Sequence, residues 1–256
     1  MQPLHLKPLI LTLWTMFFLT SFAGQTPRKT DTYAGRQVIT SIFLSKDFSP
    51  DGDLNKNVWR QAKPVSFDSA AKRGNRYPGS ATRVASLWTA SYVYFSYVCQ
   101  FETLNYYEGE AAEKERWELW NRDVVEVFIN PQPERFHHYY EFEVSPNNQW
   151  IDLEIDLQKA PFNDARWDSH FEHATRINKQ TRVWTCEMRI PVSSMGVEQI
   201  KPGMEWRLNF YRADGPGDDT KRRFMSWSPL PGPDLTFHQP ASFGVIRFSK
   251  PGAQSQ

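Results

Sequence analysis

Three glutamates on two neighbouring strand-like segments are the residues whose types and spacing could carry chemistry. Glu126 lies in the middle of 124-VVEVFIN-130, and Glu141 and Glu143 lie in 139-YYEFEVS-145. Side chains of a β-strand alternate between two faces, so Glu126 shares a face with the valine and the phenylalanine two residues to either side. Its carboxylate is therefore expected on a partly apolar surface rather than in bulk water.

A pair of carboxylates is what most glycoside hydrolases use, one as the acid and the other as nucleophile or base. If the two segments pair in a sheet, Glu126 would lie near Glu141 or Glu143. An ion pair with an arginine of a neighbouring strand is the structural alternative for Glu126. The sequence contains no nucleophile-elbow, Walker, dinucleotide-binding or zinc-protease motif. We therefore expect no catalytic residue, and a hydrolase that uses the paired glutamates is the alternative.

A second group of acids lies on 150-WIDLEIDL-157. The isoleucines and leucines of this segment alternate with Asp152, Glu154 and Asp156, which predicts an apolar face turned inward and an acidic face turned outward. Three acids on one strand face could contribute oxygen ligands for calcium. A water-facing strand is the simpler interpretation, and we expect that one.

Aromatic residues in or beside predicted loops are candidates for binding. Sugar rings present apolar C–H faces that stack on flat aromatic side chains, but Trp and Tyr are also frequent core residues. The chain has 10 Trp, 10 Tyr and 18 Phe. The loop candidates are Trp117, Trp120, Trp167, Trp227 and Phe237.

The elements that must position these residues are mostly strands. Runs with period-two alternation recur, separated by Pro and Gly clusters, and no alternation of strands with helices is visible. This pattern predicts an all-β fold, an antiparallel β-sandwich with short helical segments in loops at 109–120 and after Pro191. The clearest predicted strands are 81–90, 92–101, 124–130, 138–146, 150–157, 182–191, 205–214 and 242–248.

Composition and charge exclude several classes of partner. Thirty Lys and Arg balance twenty-nine Asp and Glu, and no basic stripe or polybasic cluster is present. Nucleic acid and an anionic membrane surface are therefore not expected partners. Two cysteines, Cys99 and Cys186, lie inside predicted strands. They could form one disulfide or remain two buried thiols.

The first residues have the pattern of a secretory signal peptide. Lys7 precedes an apolar run, and Ser21 and Ala23 are small residues at the spacing of a cleavage site. An uncleaved membrane anchor is the alternative, although the run is short and interrupted by Thr and Ser. We predict a signal peptide at 1–23, a linker at 24–40, one domain at 41–249 and a tail at 250–256. The mature protein is then secreted or periplasmic.

Several segments together resemble one family, the family 9 carbohydrate-binding modules and their DOMON-like relatives. The resemblance covers residues 48–249 approximately. No single motif decides it, but the order of all of them is fairly specific. They are 51-DGDLNKNVW-59, 81-ATRVASLWTASYVYFSYVCQFE-102, 120-WNRDVVEVFINP-131, 184-WTCEMRIP-191, 206-WRLNFYRAD-214, 226-SWSP-229 and 237-FHQPASFGVIRF-248.

The resemblance implies a DOMON-like, jelly-roll type β-sandwich that grips the end of a saccharide between two aromatic rings. Carried over to this chain, the rings are Trp120 and Phe237, with Glu126 accepting hydrogen bonds from sugar hydroxyls. Three positions depart from the family pattern. Glu143 lies where the family has an arginine, Tyr211 where it has a glutamine, and Phe237 where it usually has a tryptophan. These five residues are the predicted ligand-binding set.

The resemblance also implies a role and a possible metal. Some family members hold structural calcium, for which Asp51 and Asp53 are the first candidates here; no other cofactor is expected. The implied function is an exported, non-catalytic, monomeric module that binds a saccharide or polysaccharide and supports polysaccharide catabolism. A DOMON-like module for a non-sugar ligand such as heme is a further alternative, since the six methionines and six histidines would permit axial ligation.

Overall fold

The computed structural model describes residues 35–72, 74–109, 114–217, 221–231, 236–250 and 252. The predicted signal peptide, most of the linker and most of the tail lie outside these residues. The strands, in chain order, are β1 Val38–Phe43, β2 Val65–Phe67, β3 Thr82–Trp88, β4 Tyr92–Gln100, β5 Val124–Asn130, β6 His138–Val144, β7 Trp150–Asp156, β8 Asn163–Asp164, β9 Glu172–Asn178, β10 Val183–Pro191, β11 Glu205–Asp214, β12 Arg223–Ser226 and β13 Gly244–Phe248.

These strands form two sheets that share β1. The first sheet has the order β8-β7-β6-β5-β11-β13-β1, with β12 beside β11. The second has the order β1-β3-β4-β10-β9, with β2 beside β3. All pairings are antiparallel except those of β1, which runs parallel to both β13 and β3. The predicted all-β sandwich is confirmed.

Strand β1 passes from one sheet to the other within six residues. Val38 to Ser41 pair with β13 in the first sheet, and Ile42 and Phe43 pair with β3 in the second. The strand begins inside the segment 24–40 that was predicted as linker. Polar and apolar residues do not alternate regularly in its sequence VITSIF, so no strand was predicted there.

The core between the sheets follows the alternation of the strands. Val125, Val127 and Ile129 of β5 are fully buried in it, as predicted, together with residues of β4 and β10 from the other sheet. Cys99 and Cys186 are buried there as two free thiols, and burial raises the pKa of Cys99 to about 12. At this pKa the Cys99 thiol is protonated and unreactive.

A second apolar cluster covers the other face of the first sheet. Its buried members come from β5, β6, β7 and β11 and from the loops that fold over them: Ala71, Leu119, Val124, Phe128, Tyr139, Ile151, Leu153, Ile155, Tyr211, Ala213, Leu230 and Phe243. The face that Glu126 shares with Val124 and Phe128 is therefore enclosed, and it is this enclosed face that holds the candidate site.

The prediction that Asp152 faces water is wrong. The apolar residues of β7 belong to the second cluster, so Asp152 points to the opposite face of the sheet. There the loop before β9 covers it completely, and its carboxylate accepts hydrogen bonds from the backbone N–H and the hydroxyl of Ser169. Alternation correctly separated the two faces of β7, but it could not show that a distant loop buries the acidic one.

Helical structure is limited to short 3-10 turns in the described residues. They are Asn57–Gln61, Pro78–Ser80, Leu119–Asn121, Val192–Met195 and Pro240–Ser242. The turn after Pro191 was predicted. Of the predicted helical segment 109–120, residues 110–113 lie outside the description and the last two residues belong to Leu119–Asn121. Among the residues described, no helix has the length and apolarity needed to cross a membrane.

Candidate functional site

A cavity of about 330 Å³ opens on the enclosed face of the first sheet. Four of the five predicted ligand-binding residues line it: Trp120, Glu126, Glu143 and Phe237. Its remaining lining is partly polar and partly apolar, and consists of Asn121, Phe128, Glu141, Leu153, Phe162, Asn163, Arg222, Phe224, Thr236 and His238. Residues far apart in the sequence thus converge on one concave surface, the geometry expected of a small-ligand site.

Trp120 is held by the short turn Leu119–Asn121 that leads into β5. The preceding Leu119 is fully buried and anchors the turn in the second apolar cluster. The Trp120 carbonyl accepts a hydrogen bond from the Arg222 guanidinium at 2.8 Å. The half-exposed ring of Trp117 meets the Trp120 ring edge-on, with 5.0 Å between centroids. The hydrogen bond holds the backbone of Trp120, and the Trp117 ring contacts its side chain, while Trp120 still lines the cavity.

Tyr211 holds Phe237 in place and does not line the cavity. The two rings stack at 4.2 Å with an angle of 10° between them, and the Tyr211 hydroxyl donates to the Phe237 carbonyl at 3.0 Å. Tyr211 itself is fully buried. The structure therefore differs from the prediction that Tyr211 contacts the ligand, because its ring lies behind Phe237. Its role is to present the Phe237 ring to the cavity.

The floor of the cavity carries three carboxylates. In the register of β5 with β6, Glu126 lies directly opposite Glu143, and Phe128 lies opposite Glu141. One carboxylate oxygen from each glutamate lies within 4.8 Å of the other two. All three side chains are buried, with 2%, 3% and 0% exposed for Glu126, Glu141 and Glu143. Like charges directly opposite each other destabilise a sheet, so the arrangement opposes folding.

Within the described part of the chain, both oxygens of Glu143 and Oε2 of Glu141 have no hydrogen-bond partner. Two ionised carboxylates cannot hydrogen-bond to each other, because neither carries a hydrogen. Glu141 and Glu143 could form such a bond only if one of them were protonated. Burial, followed by the charge of neighbouring glutamates, raises the pKa of Glu126 and of Glu143 well above the usual value. The cavity floor is therefore a proton-binding or cation-binding surface.

An arginine and a histidine border the floor. The Arg222 guanidinium acts on Glu126 and Glu143 and opposes the rise of their pKa values. His238 places Nε2 4.0 Å from Oε2 of Glu141, while its Nδ1 shares a hydrogen bond of 2.8 Å with the Tyr139 hydroxyl. A distance of 4.0 Å is too long for a direct hydrogen bond. Arg222, the residue before β12, thus supplies a guanidinium to the cavity.

Sequence reasoning missed several residues of the site. Arg222 and His238 lie outside recognisable strands, and Phe162 follows a Pro in a loop, so no alternation pointed to them. Only the folded loops bring them to the cavity. Among the predicted aromatic candidates, Trp167 packs against Tyr140 at 4.8 Å and Trp227 is 6% exposed, so both are core residues.

The predicted calcium residues Asp51 and Asp53 lie in a different part of the protein. Asp51 Oδ1 is 2.8 Å from Lys56 Nζ, and Asp53 Oδ2 is 3.3 Å from Arg176 Nη1. Side-chain cations therefore already neutralise both carboxylates, which lowers the pKa of Asp51, chiefly through its hydrogen bond with Lys56. This arrangement disfavours calcium at these two residues.

Comparison with solved structures shows the same fold. A family 9 carbohydrate-binding module of Caldicellulosiruptor kristjanssonii in complex with cellotriose is 16% identical, with a TM-score of 0.58 over 83% of this chain and 94% of that chain. The glucose complex of such a module from the same organism has 14% identity and a TM-score of 0.59, over 86% and 100%. A Bacteroides uniformis protein regarded as carbohydrate-binding has 17% identity and a TM-score of 0.68, over 84% and 100%.

Sequence comparisons agree with this result. An "extracellular protein" of Arthroderma benhamiae is 28% identical over 123 residues, which are 42% of this chain and 52% of that protein. The match thus spans about half the length of this curated relative. Residues 51–250 match the sequence profile of the family described as "Carbohydrate family 9 binding domain-like". The chain therefore belongs to the carbohydrate family 9 binding domain-like family.

Proposed function

We propose that this protein is an exported, non-catalytic carbohydrate-binding module whose cavity holds one end of a saccharide between Trp120 and Phe237. The rings stack on the apolar faces of a sugar unit, and Glu126 and Arg222 meet its hydroxyls. The protein acts beside polysaccharide-degrading enzymes and contains no catalytic residue of its own. Family membership and the sugar complexes of its structural neighbours support this function.

The observation that carries the proposal is the convergence of two half-exposed rings and a buried acid on one cavity. Trp120, Glu126 and Phe237 come from three separate segments and line the same cavity. A saccharide needs both flat apolar surfaces and hydrogen-bonding groups that are already oriented, and a buried carboxylate is a strong acceptor. The stacking of Tyr211 on Phe237 supports a clamp whose ring is already oriented before a ligand binds.

The test is retention on affinity gels and calorimetry with glucose, cellotriose and a panel of other oligosaccharides. We expect Trp120→Ala and Phe237→Ala each to weaken binding at least tenfold, since stacking surface is lost from one side of the sugar. Phe136→Ala is the matched control, because Phe136 is 41% exposed and does not line the cavity. Equal binding by the parent and Trp120→Ala would contradict the clamp.

The rival glycoside hydrolase is less consistent with the positions of the glutamates. Glu126, Glu141 and Glu143 project from one face of two adjacent strands. The two carboxylates of a glycosidase must flank the bond that is cleaved. Product analysis after prolonged incubation with the oligosaccharides that bind checks this point. Hydrolysis that Glu126→Gln abolishes would establish the enzyme instead of the module.

Export is the second part of the proposal. The signal-peptide pattern at 1–23 supports it, as does the extracellular name of the fungal relative. Cleavage after Ala23 predicts a mature chain that begins at Gly24. N-terminal sequencing of the secreted or periplasmic fraction checks this prediction, and an intact N-terminus in a membrane fraction would favour the anchor.

A further inference from the structure

The three glutamates of the cavity floor need a positive charge that the described residues around them supply only in part. Burying one unpaired carboxylate costs several kcal/mol even after relaxation, and three side by side also repel one another. Arg222 is the guanidinium whose charge acts on both Glu126 and Glu143. When all three carboxylates are ionised, the single Arg222 guanidinium leaves two negative charges without a counter-charge. That remainder equals the charge of one divalent cation.

The spacing of the oxygens fits an ion. One oxygen from each glutamate lies within 4.8 Å of the other two. When three oxygens are at most 4.8 Å apart, a central point exists that lies within about 2.8 Å of each of them, which is 4.8 Å divided by √3. Calcium binds oxygen at about 2.3–2.6 Å. Small side-chain rotations therefore bring all three oxygens to bonding distance.

The unpartnered oxygens are an independent sign of a ligand. Glu143 is fully buried, lines the cavity and, in the residues that the structure describes, makes no hydrogen bond through either oxygen. Compact native proteins rarely leave such groups unsatisfied, and a bound ion is one of the usual partners of such a group.

We propose that Glu126, Glu141 and Glu143 bind one hard divalent cation, calcium by size and donor type, on the floor of the cavity. Carboxylate oxygens favour calcium and magnesium over soft metals. The side of the ion that faces the cavity then takes sugar hydroxyl oxygens as further ligands. This last step rests on the proposed saccharide function, whereas binding of the ion does not.

The experiment titrates CaCl₂ and MgCl₂ into protein stripped with EDTA and desalted, without any saccharide, by calorimetry and thermal unfolding. The parent protein should bind one calcium ion and gain thermal stability. Glu143→Gln and Glu141→Gln keep the side-chain shape, remove one charge each and should weaken calcium binding at least tenfold. Absence of binding by both ions at millimolar concentration overturns the proposal.

Two controls separate this site from other acids. Asp152→Asn removes a carboxylate from the second acidic group, Glu115, Asp152 and Asp168. Glu205→Gln removes an exposed carboxylate paired with Arg247. Both should bind calcium as the parent does. Calcium binding that survives Glu143→Gln and is lost in Asp152→Asn would place the ion elsewhere and overturn the proposal.

A final experiment compares saccharide affinity in about 1 mM CaCl₂ with saccharide affinity in EDTA. Weak extracellular calcium sites typically have dissociation constants of about that order. We expect at least tenfold tighter binding with calcium in the parent and no dependence on calcium in Glu143→Gln. Calcium binding without any saccharide binding would leave the ion site established and refute the proposed function. Saccharide binding that is the same in calcium and in EDTA, by a protein that binds no ion, would support the proposed function and refute the ion site.

Discussion

Two buried glutamates, one on each sheet, differ in the number of hydrogen bonds that their carboxylates accept. Glu187 of β10 and Glu143 of β6 both have 0% exposure. Glu187 accepts four hydrogen bonds, from the backbone N–H groups of Asp51 and Gly52, from Lys56 Nζ and from the Trp59 indole. Glu143 accepts none from the described residues.

The difference teaches which buried acid serves the fold and which serves a ligand. The loop 51–59 folds onto Glu187 and surrounds it with donors, so the carboxylate fastens the loop to the second sheet. None of the loop residues that the structure describes contributes a donor to Glu143, which instead borders a cavity with aromatic walls. The first arrangement is complete without a partner, whereas the second requires a proton or an external cation.

The largest expected effect tests the structural side of this comparison. Glu187→Ala leaves four donors without their acceptor, and we expect a loss of about 3–5 kcal/mol in the free energy of unfolding. Urea unfolding followed by tryptophan fluorescence measures it. Glu205→Ala, on an exposed ion pair, is the control and should cost less than about 1 kcal/mol. Equal losses in the two variants would break the comparison.

Asp123 is an intermediate case. It is 1% exposed, its Oδ2 accepts the Asn105 N–H at 2.9 Å, and Oδ1 has no partner among the described groups. Burial raises its pKa to about 7. The folded state therefore keeps a proton that the unfolded state loses near pH 4, so this group's contribution to stability falls as the pH rises from about 4 to about 7.

Asp123→Asn removes that titration and keeps an acceptor for Asn105. We expect the stability of the variant relative to the parent to increase by about 2–3 kcal/mol between pH 5 and pH 8. Urea unfolding of both proteins at the two pH values gives the difference, and groups shared by both cancel. A difference that stays constant with pH would show that Asp123 is ionised in the folded protein throughout.

Glu143→Gln tests the functional side of the comparison. In EDTA at neutral pH we expect the variant to be about 1 kcal/mol more stable than the parent, because folding of the parent must either bury the Glu143 charge or bind a proton there, and glutamine requires neither. Thermal and urea unfolding measure the change. A destabilisation as large as that of Glu187→Ala would mean that Glu143 is a structural residue with partners of its own.

The smallest expected effect concerns Asp51. Its side chain is 55% exposed and pairs with Lys56 and more distantly with Arg176. Asp51→Asn should change the free energy of unfolding by less than about 1 kcal/mol, with a smaller change at high salt, because exposed ion pairs are screened. Calcium affinity should not change. Lost calcium binding in this variant would restore the loop as a metal site.

Alternation in the sequence located most of what positions the site. Strands β5 and β11 begin and end at the predicted residues. It also assigned Glu126 to the face that holds the cavity. Strands β9 and β12 were missed because their residues are largely polar or half-exposed, and such edge strands lack the apolar alternation that defines a core strand.

The remaining parts of the site depend on distances between segments that no local pattern encodes. The pairing of Glu126 with Glu143 follows from the register of β5 and β6, which the intervening loop sets. The family resemblance predicted Trp120 and Phe237 as residues of the site. It did not predict that Arg222 lines the cavity or that the Tyr211 ring stacks behind Phe237. These positions result from loop folding, for which the sequence contains no periodic signal.

The pairing of β1 with β13 has a consequence for how this domain folds. It joins the first described strand to the last, and β1 is also the strand that the two sheets share. Contacts between such distant segments require closure of nearly the whole chain, which lowers the folding rate. While the polypeptide is being synthesised, β1 must wait for residues 244–248 before it gains its partner in the first sheet. Completion of the sandwich is therefore a late event in folding, after most of its hairpins have been able to form.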